Sequence, residues 1–324
     1  MSSPRLLIVR FSAIGDCVMA VPAVSAFRRA HPDAFVAWAV EDRCAAVVDG
    51  ERLVDLRRQA HRQAWKRNRW SPRMWSEQLR FYSGLRKERF DLGVDLQGHL
   101  KTALCLRVAK PARRAAVQGT DALARRLNPV VVSAEAPRHI VERNLEVLRT
   151  LADLAADASP IMPGLAEERS TIREMRNSGV PLVTVTVSAG NPTKVVPKAH
   201  WEEIALQIVG QGYQVAFLGG PGDPKPQVPG ALNWVGELPL ALTMAAVAES
   251  AFHLCGDTGT GHIAAAYGVP VVSVFGNMDP VRYRPYTDKA IVLRDGEEAS
   301  RVPPRRILEA FQNLVERYGP EVPH

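Results

Sequence analysis

Four stretches of this 324-residue chain combine residue types that can do chemistry. The first is Ser12-Ala13-Ile14-Gly15-Asp16, directly after the apolar run RLLIVRF. Gly15 lets backbone and ligand approach closely. Asp16 stands where a helix should begin, so it either caps that helix or offers a carboxylate to a ligand, and position alone leaves both open. The second is Cys255-Gly256-Asp257-Thr258-Gly259-Thr260-Gly261-His262, which runs into IAAAYG. Strand, small polar turn, helix presents free backbone N–H groups and a positive dipole end to an anion, and the glycines let a phosphate come close. Thr258 and Thr260 add hydroxyls, and Asp257 and His262 crowd the same turn. The third is Ser188-Ala189-Gly190-Asn191-Pro192-Thr193-Lys194, again after a strand-like run. Lys194 can neutralise a diphosphate as a point charge, or be a solvated loop lysine. The fourth, Arg57 to Arg73, holds seven Lys/Arg, no acidic residue, and Trp65 and Trp70 between the cations. It reads as a solvated basic helix, as a single-strand nucleic-acid surface, or as a segment that wraps a phosphorylated lipid head group.

What these stretches are not is also informative. No Gly-Lys-Ser/Thr follows the 255–262 turn, so it is no P-loop. A G-x-G-x-x-G fingerprint is missing there and after the first strand, which disfavours a dinucleotide-dependent oxidoreductase. The histidines and cysteines show no metal-ligand spacing, so no metal site and no cofactor is expected; His31, His61, His139 and His253 read as structural or surface residues.

The elements that must position these stretches alternate strand and helix. In the first half, 5–11 and 35–40 are apolar strands, 22–29 is a helix, 90–98 is a strand ending in a polar turn, and 101–108 is a helix. Short apolar strands separated by helices imply a parallel sheet covered on both faces. Residues 159–180, with Pro160, Pro163 and a charged helix, read as a linker. The pattern then restarts: strands at 181–190, 213–223, 251–257 and 269–276 alternate with helices at 200–212, 240–250 and 259–268, before an amphipathic helix at 305–319. The expected organisation is an α/β chain of two Rossmann-like doubly wound domains, 1–158 and 181–324.

Composition sets the outer limits. Apolar residues make up 46% and charged residues 23%, which excludes a disordered or fibrous chain. No apolar run reaches the ~18–20 residues of a membrane span. Asp16 would interrupt the hydrophobic region of any signal peptide, so no leader is expected. Cys17, Cys44, Cys105 and Cys255 are scattered without a C-x-x-C, which fits a reducing cytoplasm. The net charge of +7 is uneven: residues 1–160 carry +10 and residues 161–324 carry −3. The halves should therefore meet different partners, the basic one an acidic lipid or sugar-phosphate substrate or, in another reading, nucleic acid.

Taken in order, LLIVRFSAIGDCVMAVPAVSAFRRAHPDAFVAWAVED, DLGVDLQGHLKTAL, HIVERNLEVL and CGDTGTGHIAAAYGVPVVSVFGNMDP resemble segments of the family 9 glycosyltransferases, the ADP-heptose:lipopolysaccharide heptosyltransferases. RRQAHRQAWK and HIVERN are most similar to the enzymes that add the first heptose to Kdo on lipid A. The resemblance implies a GT-B fold, with acceptor on the N-terminal domain, nucleotide sugar on the C-terminal one, and a C-terminal helix free to return to the N-terminal domain. It implies an inverting transfer with Asp16 as general base. Ser188, Lys194, Asp223, Leu238, Asp257, Thr258, Gly259, Thr260 and His262 would hold the donor. Ser12, Gly15, Arg57, Arg58, Arg62, Gln97 and Lys101 would meet the acceptor. It further implies a cytoplasmic monomer, peripheral to the inner membrane, with an ADP-sugar and an acidic lipid-linked acceptor as partners and no nucleic acid.

Three departures from the family pattern bear on the donor. Lys-x-Trp-Pro reads Lys194-Val195-Val196-Pro197, so the Trp is missing. The glutamate after Gly-Gly-Pro corresponds to Asp223, in the proline-rich PGDPKPQVPG. Cys17-Val18 replaces the His-Thr pair that often follows Gly-Asp. A different nucleotide sugar or acceptor is the alternative within the enzyme class.

Overall fold

The computed structural model describes residues 3–50, 52–119, 121–131, 138–177, 179–188 and 190–319. The chain divides into two compact units, Met1–Pro163 and Gly164–His324.

In the first unit, β1 (Arg5–Val9) leads through the short helix α1 (Ile14–Val18) to α2 (Val21–Ala30) and β2 (Phe35–Glu41). Then come β3 (Leu56–Ala60), α3 (Arg62–Arg67), α4 (Pro72–Lys87), β4 (Leu92–Asp95), α5 (Leu100–Ala109), β5 (Arg113–Val117), α6 (Ala124–Leu127), β6 (Val130–Val131) and α7 (Ile140–Arg149). The strands form one parallel sheet in the order β3-β2-β1-β4-β5-β6. β1, β2 and β4 are apolar almost throughout because helices cover both faces. Leu7 and Val9 of β1 pack with Phe81 and Leu85 of α4 and Leu106 of α5. Truncating fully buried Leu85 to Ala would cost about 2–5 kcal/mol.

The second unit opens with α8 (Ala166–Glu174), inside the stretch read as linker. It packs along α10 (Leu240–Ala248), and Arg169 and Arg173 both reach Glu249 at 3.0 and 2.7 Å. The remaining elements are β7 (Leu182–Thr186), α9 (Lys198–Gly210), β8 (Gln214–Leu218), β9 (Leu232–Asn233), β10 (Phe252–Gly256), α11 (Gly259–Ala266), β11 (Val271–Phe275), α12 (Pro280–Tyr283), β12 (Ala290–Arg294) and α13 (Pro304–Tyr318). The sheet order is β9-β8-β7-β10-β11-β12, all parallel. Counted within each unit, both sheets run 3-2-1-4-5-6, which is the Rossmann-like doubly wound class expected from the sequence.

The C-terminal helix α13 packs into the core of the second unit, where its apolar stripe of Ile307, Ala310, Phe311 and Leu314 is buried. Phe311 stacks edge-on to Phe252 and Tyr213 at 5.3 and 5.6 Å, which fixes the helix against its own sheet.

Candidate active site

In a 3-2-1-4-5-6 sheet the chain runs off in opposite directions after strands 1 and 4, opening a crevice at their carboxyl ends. Here those positions follow β1 and β4 in the first unit, and β7 and β10 in the second. Asp16 lies in the segment after β1 and Gln97 after β4. Ser188 and Lys194 follow β7, and Asp257 to His262 follow β10. Both switch points therefore carry the residues singled out from the sequence.

In the first unit Asp16 is the third residue of α1, and its Oδ2 accepts the Ala13 N–H at 3.1 Å. Oδ1 pairs with the Arg10 guanidinium at 2.8 Å, and the side chain keeps about a third of its surface open. The cap and ligand-facing readings thus coexist: the carboxylate ties the helix start and still faces outward. Arg10 was not anticipated. It is buried, continues β1, and is also held by the Leu96 carbonyl. An arginine terminating an all-apolar strand was the available signal. Ser12 and Gly15 are buried beside Asp16.

Gln97 does not simply face outward: its Oε1 accepts the Phe11 N–H at 3.0 Å, pinning the chain just before Ser12. The loop carrying it is folded by Asp95, whose Oδ1 accepts the Gln97 and Gly98 N–H groups at 2.9 and 3.0 Å. Burial pushes the Asp95 carboxyl above its usual range, against the pull of those hydrogen bonds. Gly98 needs its positive φ of 71°, and a Cβ there would strike the Gly119 backbone at 2.8 Å.

Arg62 and Lys101 converge on Glu41 at the end of β2, at 3.3 and 3.4 Å, and Arg43 joins at 2.9 Å. Arg62 and Lys101 also sit 5.5 and 6.0 Å from the Phe11 ring centre. Three cations on one buried carboxylate leave an excess of two positive charges. Burial and neighbouring Arg62 pull the Lys101 ammonium below its usual range, more than Glu41 restores. Glu41, the organiser of this cluster, escaped the sequence reading.

Arg57 and Arg58 stand on a strand, not on the solvated basic helix that the charge run suggests. They lie on β3, paired in register with Trp38 and Ala39 of β2. Arg57 pairs with Asp49, and Arg58 with Glu88 at 3.3 Å. The basic run is thus an edge strand and the short helix α3, and its acidic partners come from distant sequence. Trp65 is buried against Phe81, its indole N–H donating to Glu77 at 3.0 Å; Trp70 stays exposed.

In the second unit α11 begins at Gly259 with Thr258 as N-cap. Thr258 and Thr260 hydroxyls lie 2.8 Å apart, and Thr260 donates to Thr186 at 2.9 Å. Lys194 reaches Asp257 at 2.7 Å. The loop bearing Lys194 can cross the ends of β10 and β11 only because glycine ends the first and follows the second. A Cβ at Gly256 would sit 2.7 Å from the Lys194 carbonyl oxygen, and one at Gly276 2.1 Å from that of Thr193. Ammonium, hydroxyls and helix N-terminus gather at one switch point, a constellation suited to a diphosphate. Cys255 takes no nucleophilic part: it is buried, and burial pushes its thiol up to about 12. His262 is buried on α11. Ser188 and Leu238 are half-buried at β7 and before α10, and Ala189 lies outside the described residues. Asp223 curls back so that its Oδ2 accepts the Gly220 N–H at 2.6 Å. Val196, where the family has Trp, is buried in the core with Trp201.

Two residues of the resembling motifs turn out to be structural. His139 accepts the Val141 N–H at the start of α7, and Asn144 donates to the Met19 carbonyl at 3.0 Å, tying α7 to the end of α1. All four cysteines are free and buried. Among the described residues no three His, Cys, Asp or Glu side chains cluster as a metal site, and no helix is long and apolar enough to cross a membrane.

The family model described as glycosyltransferase family 9 (heptosyltransferase) matches residues 78–312. A lipopolysaccharide heptosyltransferase 1 of Pseudomonas aeruginosa is 28% identical over 286 residues, covering 85% of this chain and 79% of the relative. Among solved structures, a family 9 glycosyltransferase from Veillonella parvula superposes with a TM-score of 0.83 at 18% identity, over 98% of each chain. The Escherichia coli ADP-heptose LPS heptosyltransferase II gives 0.79 at 22%, over 97% of this chain and 99% of its own. At such identities the superpositions speak for the fold, and the family match, across more than half of the chain, speaks for the chemistry: this protein belongs to glycosyltransferase family 9 and is an enzyme of the heptosyltransferase type.

Proposed function

We propose that the enzyme moves a heptose from ADP-heptose to the Kdo of a lipopolysaccharide inner core, with inversion at the anomeric carbon. The observation that carries this reading is the pair of dissimilar switch-point sites: a half-open carboxylate beside a cation cluster in one unit, and a diphosphate cradle in the other. The names of the relatives, which specify lipopolysaccharide and ADP-heptose, support the substrate pair.

In the proposed step Asp16 takes the proton from the acceptor hydroxyl as that oxygen attacks the anomeric carbon of the donor held by the second unit. The bond to ADP breaks as the new one forms, so a single displacement inverts the centre. Arg10 and the Ala13 N–H fix the rotamer of the base. Arg62 and Lys101, with charge to spare beyond Glu41, receive the acceptor's carboxylates or phosphates. Ser12, Gly15 and Gln97 shape the backbone around Asp16. Arg57 and Arg58 are supporting charges, already paired.

On the donor side, charge growing on the departing diphosphate meets the N–H groups at the start of α11, the Thr258 and Thr260 hydroxyls, and Lys194. Asp257 holds Lys194 as an ion pair at 2.7 Å, and the ammonium's N–H donors turn to phosphate. Ser188, Gly259 and His262 complete this rim, Leu238 lies against the adenine, and Asp223 approaches the ribose. With the diphosphate charge met this way, the step calls on no metal.

The second reading, another nucleotide sugar, draws on Val196 and Asp223, which leave the family pattern where the donor would lie. Calorimetry against a panel of nucleotides and nucleotide sugars separates the two. The proposal expects ADP and ADP-heptose to bind well above UDP, GDP and inorganic diphosphate; preference for another base would replace the donor assignment.

A further inference from the structure

The outer surface of the helix layer α3–α6 carries an unusual combination. Between residues 62 and 131 there are sixteen Lys/Arg and five Asp/Glu, so the basic excess of the first half resides in this stretch. All five acids already have partners. Glu77 takes the Trp65 indole, Glu88 pairs with Arg5 and Arg58, Asp91 accepts the Arg5 N–H, Asp95 is buried, and Asp121 accepts backbone N–H groups at the start of α6. Lys66, Arg67, Arg73, Arg80, Arg107 and Arg126 are exposed.

Large apolar side chains stand among these cations. Trp70 is 77% exposed, Leu79 71% and Trp75 53%. Trp75 and Leu79 are one turn apart on α4, turned away from the face that buries Phe81 and Leu85. Leu104 and Val108 on α5, which packs beside α4, and Leu123 before α6 extend the apolar surface. Exposed tryptophan and leucine among arginine and lysine is the composition of a bilayer interface: the rings sit at head-group depth, and long basic side chains reach the lipid phosphates. The same layer carries the acceptor cluster at its helix starts, Arg62 opening α3 and Lys101 in the first turn of α5.

We infer that the α3–α6 face, centred on Trp70, Trp75 and Leu79, is the surface with which the enzyme rests on an anionic phospholipid bilayer. The charge selects an anionic partner, and the exposed rings select a bilayer over a purely ionic polyanion. The bilayer contact brings Arg62 and Lys101 to head-group level, where a lipid-linked acceptor presents its acidic sugars. The inference rests on the acceptor reading above.

The test is flotation of the full chain with vesicles of phosphatidylcholine alone or mixed with phosphatidylglycerol. Two variants accompany it: Trp70→Ser/Leu79→Ser, and Lys66→Glu/Arg67→Glu/Arg73→Glu. Thermal melting checks that both fold. Wild type should float with the mixed vesicles and not with phosphatidylcholine, and each variant should bind them roughly tenfold or more weakly. Turnover on a deacylated, water-soluble acceptor should be unchanged in both, since none of these residues touches the site. Wild type that stays off the mixed vesicles overturns the inference, as do variants that bind like wild type. Loss in the variants of self-association or oligonucleotide binding, with vesicle binding intact, assigns the face to another partner and equally overturns it. The vesicles contain no sugar, so such failures leave the acceptor reading to stand or fall on turnover with the soluble acceptor.

Discussion

The two units share one sheet order and the same switch point, yet in the proposed reaction they would meet anions by opposite means. The first, within the half carrying +10, uses long side chains: Arg43, Arg62 and Lys101 crowd one carboxylate, Glu41. The second, within the half carrying −3, uses fixed donors: the start of α11, two threonine hydroxyls, and one lysine held by Asp257. Fixed backbone donors at a helix start suit a compact, highly charged diphosphate. Flexible, half-exposed cations suit a bulkier acidic partner and are screened by salt within about 8–10 Å.

The largest expected effect falls on the base. Asp16→Asn should lower turnover by roughly 10²–10⁴-fold while ADP binding, read by calorimetry, stays near wild type. If turnover persists, Asp16 is only the capping carboxylate of α1. Next, Lys194→Met or Thr258→Val should weaken ADP binding by roughly 10–100-fold, the worth of one charge-assisted hydrogen bond. Neither should shift the acceptor's KM. An equal effect on both substrates would dissolve the division between units.

Salt sharpens the contrast at smaller scale. Raising ionic strength from low to physiological should raise the acceptor's KM several-fold and the donor's much less. Chelation is a companion measurement: activity should survive EDTA, and loss restored by a divalent ion would mean that Lys194 and α11 do not suffice for the leaving group.

The smallest effect concerns stability. His253 is fully buried on β10, bonded to Thr184 at 2.9 Å, and burial holds its imidazole down to about 3 from 6.5. The unfolded chain protonates this group below pH 6.5 and the folded one does not. Its contribution is therefore fully present above 6.5 and declines by up to about 1.4 kcal/mol per pH unit as pH falls toward 3. Chemical denaturation at several pH values should show His253→Gln flatter than wild type between pH 6 and about 4; identical slopes would refute it.

How far the sequence carried depended on whether a feature was local. Asp16, Lys194 and the 255–262 turn were legible because each follows an apolar strand directly, and strand ends dictate where ligands gather. The strands β1, β2, β7, β8, β10 and β11 were legible because both faces are covered and the runs are predominantly apolar. Edge strand β3 was hidden in the basic run, since Arg57 and Arg58 find Asp49 and Glu88 only in three dimensions. Glu41 and Arg10 escaped for the same reason: nothing near them in sequence announces Lys101 or Asp16 as a partner. The placement of α13 depended on which apolar face it would meet, and an amphipathic stripe does not specify that.

The central claim is that a carboxylate in the first unit and a diphosphate cradle in the second together transfer heptose with inversion. The direct test is to incubate the enzyme with ADP-heptose and a deacylated Kdo-terminated acceptor, follow ADP release, and determine the new linkage by NMR. The account predicts ADP release that depends on the acceptor and an anomeric configuration opposite to that of the donor. Retention of configuration, or release only with a different nucleotide sugar, would contradict it.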